Sequence, residues 1–116
     1  MSTDYSKMSD QEINMAIARM FFPDDIVIES RSRPPSACIT CSPSRWVDYC
    51  NNPADAWPII HYNRIGVIQA PCYGEWKAAH RAVGDDGTPH HFTQHTNPLR
   101  AAMIVFLLMQ DARNEK

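Results

Sequence analysis

The chain has 116 residues, with 11 Lys or Arg, 13 Asp or Glu and a formal net charge of −2. That length suits one domain whose single core buries roughly two-thirds of the unfolded surface. The charge excludes the basic footprint expected of a duplex nucleic-acid binder, and the longest apolar run, Ala101 to Met109, is too short to cross a bilayer. With 9 prolines and 4 glycines, many turns are preset.

No stretch resembles a signal peptide, so the default location is a cytoplasm. Cys38, Cys41, Cys50 and Cys72 are then expected as reduced thiols rather than disulfides.

Residues 1–8 read as a polar tail and residues 9–116 as a single α+β domain. Ser9-Asp10-Gln11-Glu12 is a capping box, and Ile13, Ala16, Ile17 and Met20 follow at helical spacing. The pattern predicts an N-terminal amphipathic helix over 9–20, stopped by Pro23. Ile26-Val27-Ile28 predicts a strand within 25–30. Residues 36–41 and 45–49 are further strand candidates.

Residues 58–62 and 64–69 are two short β-rich runs, read as a hairpin turning near Tyr62-Asn63. Within 74–83, Trp76, Ala78, His80 and Ala82 alternate with Lys77 and Arg81. The same residues fit two helical turns, but Asp86-Gly87 favours a strand, a turn and a second strand near 91–95.

Asn97-Pro98 opens the last element, Asn as cap and Pro at the first helical position. Residues 99–112 are apolar on nearly every side, as expected of a buried helix, and the helix is expected over 98–112. The expected fold is α+β: a small, mainly antiparallel sheet with the N-terminal helix and the buried C-terminal helix packed on one face.

Three segments, "YSKMSDQEINMA" (5–16), "CNNPADAWPII" (50–60) and "NPLRAAMIVFLLMQ" (97–110), with Trp76 between the last two, carry a family resemblance. In order and spacing the chain resembles the NinX-like family of small proteins from tailed phages and prophages. The resemblance implies a phage accessory protein acting in a bacterial cytoplasm. It implies no reaction and no catalytic residues.

The residues themselves suggest where a ligand could bind. In "CNNPADAW", Asn52 can cap a helical turn, Pro53 can sit first in it, and Asp55 can bond back to the cap. Pro58 then stops the turn. Capping leaves Asn51 and Trp57 unexplained. In "HTNPLRAA", free amides at the start of a helix carry partial positive charge beside Thr96, Asn97 and Arg100, a setting that suits an anion.

The ligand-binding set read from these turns is Asn51, Asn52, Asp55, Trp57, Trp76, Thr96, Asn97 and Arg100. The two turns are expected side by side, with the anion on Arg100 and a planar group near Trp57 or Trp76. The ligand class is small and anionic, of nucleotide type, and sequestering a nucleotide signal of host defence would be one use. The bland alternative is a solvated Arg100 and core tryptophans. A protein–protein inhibitor or adaptor acting on a host or phage enzyme is the second function class; it would show an exposed apolar patch in place of a pocket.

A small nucleotide-processing enzyme ranks third. No phosphate loop, nucleophile elbow or HExxH is present, and no cofactor is expected. Cys38-x-x-Cys41 has zinc-ligand spacing, but no second pair completes it, so no metal is expected. Duplex nucleic acid and membrane are not expected partners, and the sequence leaves the oligomeric state open.

Overall fold

The computed structural model describes residues 4–40, 43–81 and 91–114. Helix α1 spans Asp10–Phe21, and the capping box that starts it is complete. Ser9 Oγ accepts from the Glu12 amide and Glu12 Oε1 accepts from the Ser9 amide, both at 3.1 Å. Its buried face holds Ile13, Ile17 and Ala18.

Strands β1 (Val27–Glu29), β2 (Ala37–Ile39) and β3 (Arg45–Val47) follow and form one antiparallel sheet in the order β1-β2-β3. Val27, Ala37, Ile39 and Val47 point inward and are buried, and α1 packs on β1 and β2. A second antiparallel sheet comprises β4 (Ile65–Gln69), β5 (Trp76–His80) and the edge strand β6 (Phe92–His95). So residues 76–80 take the strand alternative. The expected Asp86-Gly87 turn lies outside the described residues.

Between the sheets the chain departs from the hairpin expected over 58–69. Residues Pro53–Tyr62 form a helix, α2, and only the second run is a strand. Asn52 caps the helix through Ala54 N at 3.0 Å, and Pro53 takes the first position. The buried residues Ala56, Ile59 and Ile60 sit at helical spacing, which outweighs the β preference of the Ile pair. Pro58 lies inside the helix. The carbonyl it leaves without an amide belongs to Ala54, an exposed first-turn residue whose oxygen water can satisfy.

Helix α3, Pro98–Asn114, packs across β4, β5 and β6 and also touches α1 and α2. Residues 101–107 are all buried. The architecture is α+β, with two small sheets where one was expected: α1 covers the first and α3 the second. Within residues 4–8 the chain is structured. Tyr5–Lys7 forms a 3-10 helix, Tyr5 is buried, and its hydroxyl donates to Asp111 near the end of α3. A partner 106 residues away cannot be read from local polarity.

Candidate functional site

The ends of α2 and α3 that begin with Asn-Pro do lie together. Asn97 accepts from the Leu99 and Arg100 amides through Oδ1, at 3.0 and 3.3 Å, and so caps α3. Its Nδ2 donates to Cys50 O at 2.8 Å and to Asn51 Oδ1 at 3.2 Å. Asn51 in turn donates through Nδ2 to Asp10 Oδ2 at 3.3 Å and to both oxygens of Asp48, at 3.1 and 3.2 Å. The amide that capping left unexplained therefore joins the start of α1, the end of β3 and the start of α3.

Arg100 completes this network. It is 6% exposed. Its Nη1 donates to Asp10 Oδ1 at 2.6 Å, and its Nη2 reaches the carbonyls of Tyr5, Ser6 and Met8. Those three carbonyls close the N-terminal 3-10 turn onto α3. Arg100 Nε is buried and has no partner among the described residues.

On the other side of Asp48, the fully buried Asn14 donates to Asp48 Oδ1 at 2.8 Å and to Pro35 O at 3.0 Å, and accepts from the Cys50 amide at 3.2 Å. Asp55 Oδ2 accepts from the Asp48 amide at 2.9 Å and from Asn52 Nδ2 at 3.2 Å. Burial is the main force pushing the Cys50 thiol up to about 12; the charge of Asp10 adds to it and Arg100 opposes it. A neutral, inert thiol sits at the centre of the network.

Of the eight residues expected to bind a ligand, Asn51, Asn52, Asp55, Asn97 and Arg100 thus bond to one another or to their neighbours in the fold. Thr96 is exposed beside them. Trp57 and Trp76 are not hydrogen-bonded into the network in the structure: Trp57 is 61% exposed on α2, and Trp76 is half-buried at the start of β5. Asp10, Asn14 and Asp48 belong to the network and were not foreseen. Asn14 carried a signal, a polar residue beside Ile13 and Ile17 on the apolar face of a helix. Asp10 and Asp48 carried none.

An exposed apolar surface lies elsewhere. Helix α2 turns Trp57, Pro58, His61 and Tyr62 outward, with Tyr62 83% exposed. The Trp57 and His61 rings are 6.0 Å apart, one turn along the helix. Phe21, at the end of α1, stacks on Phe106 at 5.8 Å and is still 49% exposed. Phe21, Pro58, Ile59, Tyr62 and Asn63 line a cleft of about 310 Å³ between the two helices. The one carboxylate of α2, Asp55, is held by the Asp48 amide, so the outward face of the helix carries no Asp, Glu, Lys or Arg.

Among the described residues no group of three or more His, Cys, Asp or Glu side chains could hold a metal ion. Cys38, Cys50 and Cys72 are unpaired; Cys41 lies outside the described residues. No described helix is long and apolar enough to cross a membrane.

Comparison with known proteins gives a family. The model described as "Bacteriophage P22, NinX" matches residues 4–110. That span includes every residue of the polar network and the whole of α2. No curated protein matches the chain.

Proposed function

Since the chain belongs to the bacteriophage P22 NinX family, we propose that this phage accessory protein works in the host cytoplasm by binding another protein, as an inhibitor or adaptor, through the aromatic face of α2. The observation that carries this reading is the composition of α2's exposed surface: it carries two large rings, Trp57 and Tyr62, Tyr62 lines an apolar cleft, and no Asp, Glu, Lys or Arg lies among them. Trp and Tyr dominate the energetics of protein interfaces, and charged residues are depleted at interface centres. The fitting partner presents a large apolar side chain to the cleft between Phe21 and Tyr62.

The small anionic ligand is the second reading. Its support is the adjacency of the two Asn-Pro helix starts, with Thr96 exposed beside them. Against it stands Arg100, whose Nη donors already bond to Asp10 and three carbonyls. An anion there would have to displace a buried ion pair, and breaking one costs about 3–5 kcal/mol.

The test compares the wild-type chain with a Trp57→Ser/Tyr62→Ser variant in affinity capture from infected cells. A phage or host protein retained by the first and lost by the second supports the reading, provided both melt alike. A wild-type dimer that the double substitution dissociates would make the face a self-association surface instead. Thermal stabilisation by nucleotides or cyclic dinucleotides, roughly 2.7 kcal/mol at 100 times Kd, would restore the small-ligand reading.

A further inference from the structure

A second apolar surface lies on the outer side of the first sheet. Pairing aligns Ile28 with Cys38 and Cys38 with Trp46, so the three form one row across β1, β2 and β3. Strand alternation sends their neighbours Val27, Ala37, Ile39 and Val47 into the core and turns this row outward. A sheet covered on one face usually carries polar residues on the other. Here Ile28 is 47% and Trp46 38% exposed. Together with Glu29, Ser30, Arg31 and Ser32, the row lines a cleft of about 300 Å³.

The rim of this cleft is cationic. The Arg33 guanidinium lies over the Trp46 ring, 4.3 Å from its centroid. An arginine placed over a ring can still offer N–H donors to a carboxylate, which a guanidinium binds best through two parallel bonds. Arg31 lines the same cleft. Neither arginine has an ion-pair partner among the described residues. Two cations therefore face one carboxylate, Glu29, around an apolar floor.

We propose that the outer face of β1-β2-β3 docks an acidic protein segment that carries a large apolar side chain. The apolar group enters the cleft between Ile28, Cys38 and Trp46, and an adjacent carboxylate bonds to Arg33 and Arg31. The proposal shares with the preceding section the reading of a protein-binding chain but uses a different face, so the two stand or fall separately.

A random-peptide display library panned against the full chain tests it, followed by fluorescence anisotropy of labelled enriched peptides. The expected peptides combine Asp or Glu with Phe, Leu or Trp, and bind more weakly as salt rises. Arg33→Glu and Trp46→Ser are each expected to weaken them at least tenfold. Arg33→Lys keeps the charge and loses the flat fork, so it should retain part of the affinity. The Trp57→Ser/Tyr62→Ser variant should bind as the wild type does. If Arg33→Glu or Trp46→Ser melts early, Arg33→Lys and Trp46→Phe carry the test. Failure to enrich any peptide, enrichment without acidic residues, or binding that survives Arg33→Glu would each overturn the proposal. Loss only in the α2 variant would overturn it and leave the α2 reading standing. Preferential binding of a single-stranded oligonucleotide, which could use the same ring and cations, would replace it.

Discussion

Asn97 Nδ2 donates to Asn51 Oδ1 across 3.2 Å, which joins two helix starts that lie 46 residues apart in the chain. Each Asn sits next to or at a cap, and each has further partners: Asp10 and Asp48 for Asn51, Cys50 O for Asn97. Through Asp10 the bond continues to Arg100 and from there to the N-terminal turn. The three segments that carry the family resemblance, 5–16, 50–60 and 97–110, meet in this one network. Buried polar networks whose members bond to one another rigidify a core and fix one arrangement of its parts, and here Arg100 Nε is the atom left without a partner among the described residues.

Arg100 should therefore behave as a structural residue. We expect Arg100→Ala to destabilise the chain by about 3 kcal/mol or more, because it leaves Asp10 and three carbonyls without their partner. Urea denaturation measures this. A loss below about 0.5 kcal/mol, the range of a solvated surface charge, would contradict the network. A double-mutant cycle with Asp10→Asn should show positive coupling.

Asn97 separates capping from bridging. Asn97→Asp keeps the oxygen that caps α3 but replaces the donor to Cys50 O and Asn51 with a second acceptor. Asn97→Ala removes both functions. We expect Ala to cost about 2 kcal/mol, near 1 for the cap and the rest for the bridge. If Asp proves as stable as Asn in chemical denaturation, the bridge contributes nothing.

Cys50 and Tyr49 set an alkaline limit. The Cys50 thiol rises from 9.0 to about 12, chiefly by burial. The Tyr49 hydroxyl rises from 10.0 to about 12, first by burial and then by the Asp55 charge, with Arg45 opposing. Both groups hold their protons more tightly when folded, so stability is complete below the unfolded pKa values and falls as pH rises from about 9 towards 12. The decline approaches roughly 1.4 kcal/mol per pH unit for each group once its unfolded form has ionised. Denaturation midpoints at pH 8, 9 and 10 should drop in that order. Peptide-level alkylation at pH 8 should modify the exposed Cys72 quickly and Cys50 only after unfolding.

Arg64 follows the cap of α2 with φ of 55°, in the left-handed region where a side chain crowds the backbone. Its carbonyl accepts from the Arg81 amide at 3.2 Å, so the conformation is held by the second sheet. Arg64→Gly should raise stability by about 0.5–1 kcal/mol, since glycine adopts this conformation without strain. A lower melting temperature would show that the Arg side chain contributes more than its backbone loses.

Much of the fold was legible locally. The capping box at Ser9, the Asn-Pro start at 97–98 and the even apolar character of 101–107 each depend on residues within one or two turns, and each element stands where those signals put it. The misreading at 58–62 is local as well. Pro58 ahead of two Ile residues resembles the start of a strand, whereas the cap at Asn52 and the spacing of Ala56, Ile59 and Ile60 point to a helix.

What the amino-acid sequence determined by itself was the set of helix starts, the inward-facing pattern of α1 and the strands, and the presence of amides and an arginine that capping does not require. What only the tertiary structure decided was the use of those groups. Whether Arg100 meets solvent, a ligand or Asp10 depends on where a carboxylate 90 residues earlier comes to rest. Trp57 and Trp46 become surface rings because α1, α3 and the two sheets fill the interior without them. Burial of a polar or aromatic side chain is a property of packing between distant segments, and local propensity holds no information about it.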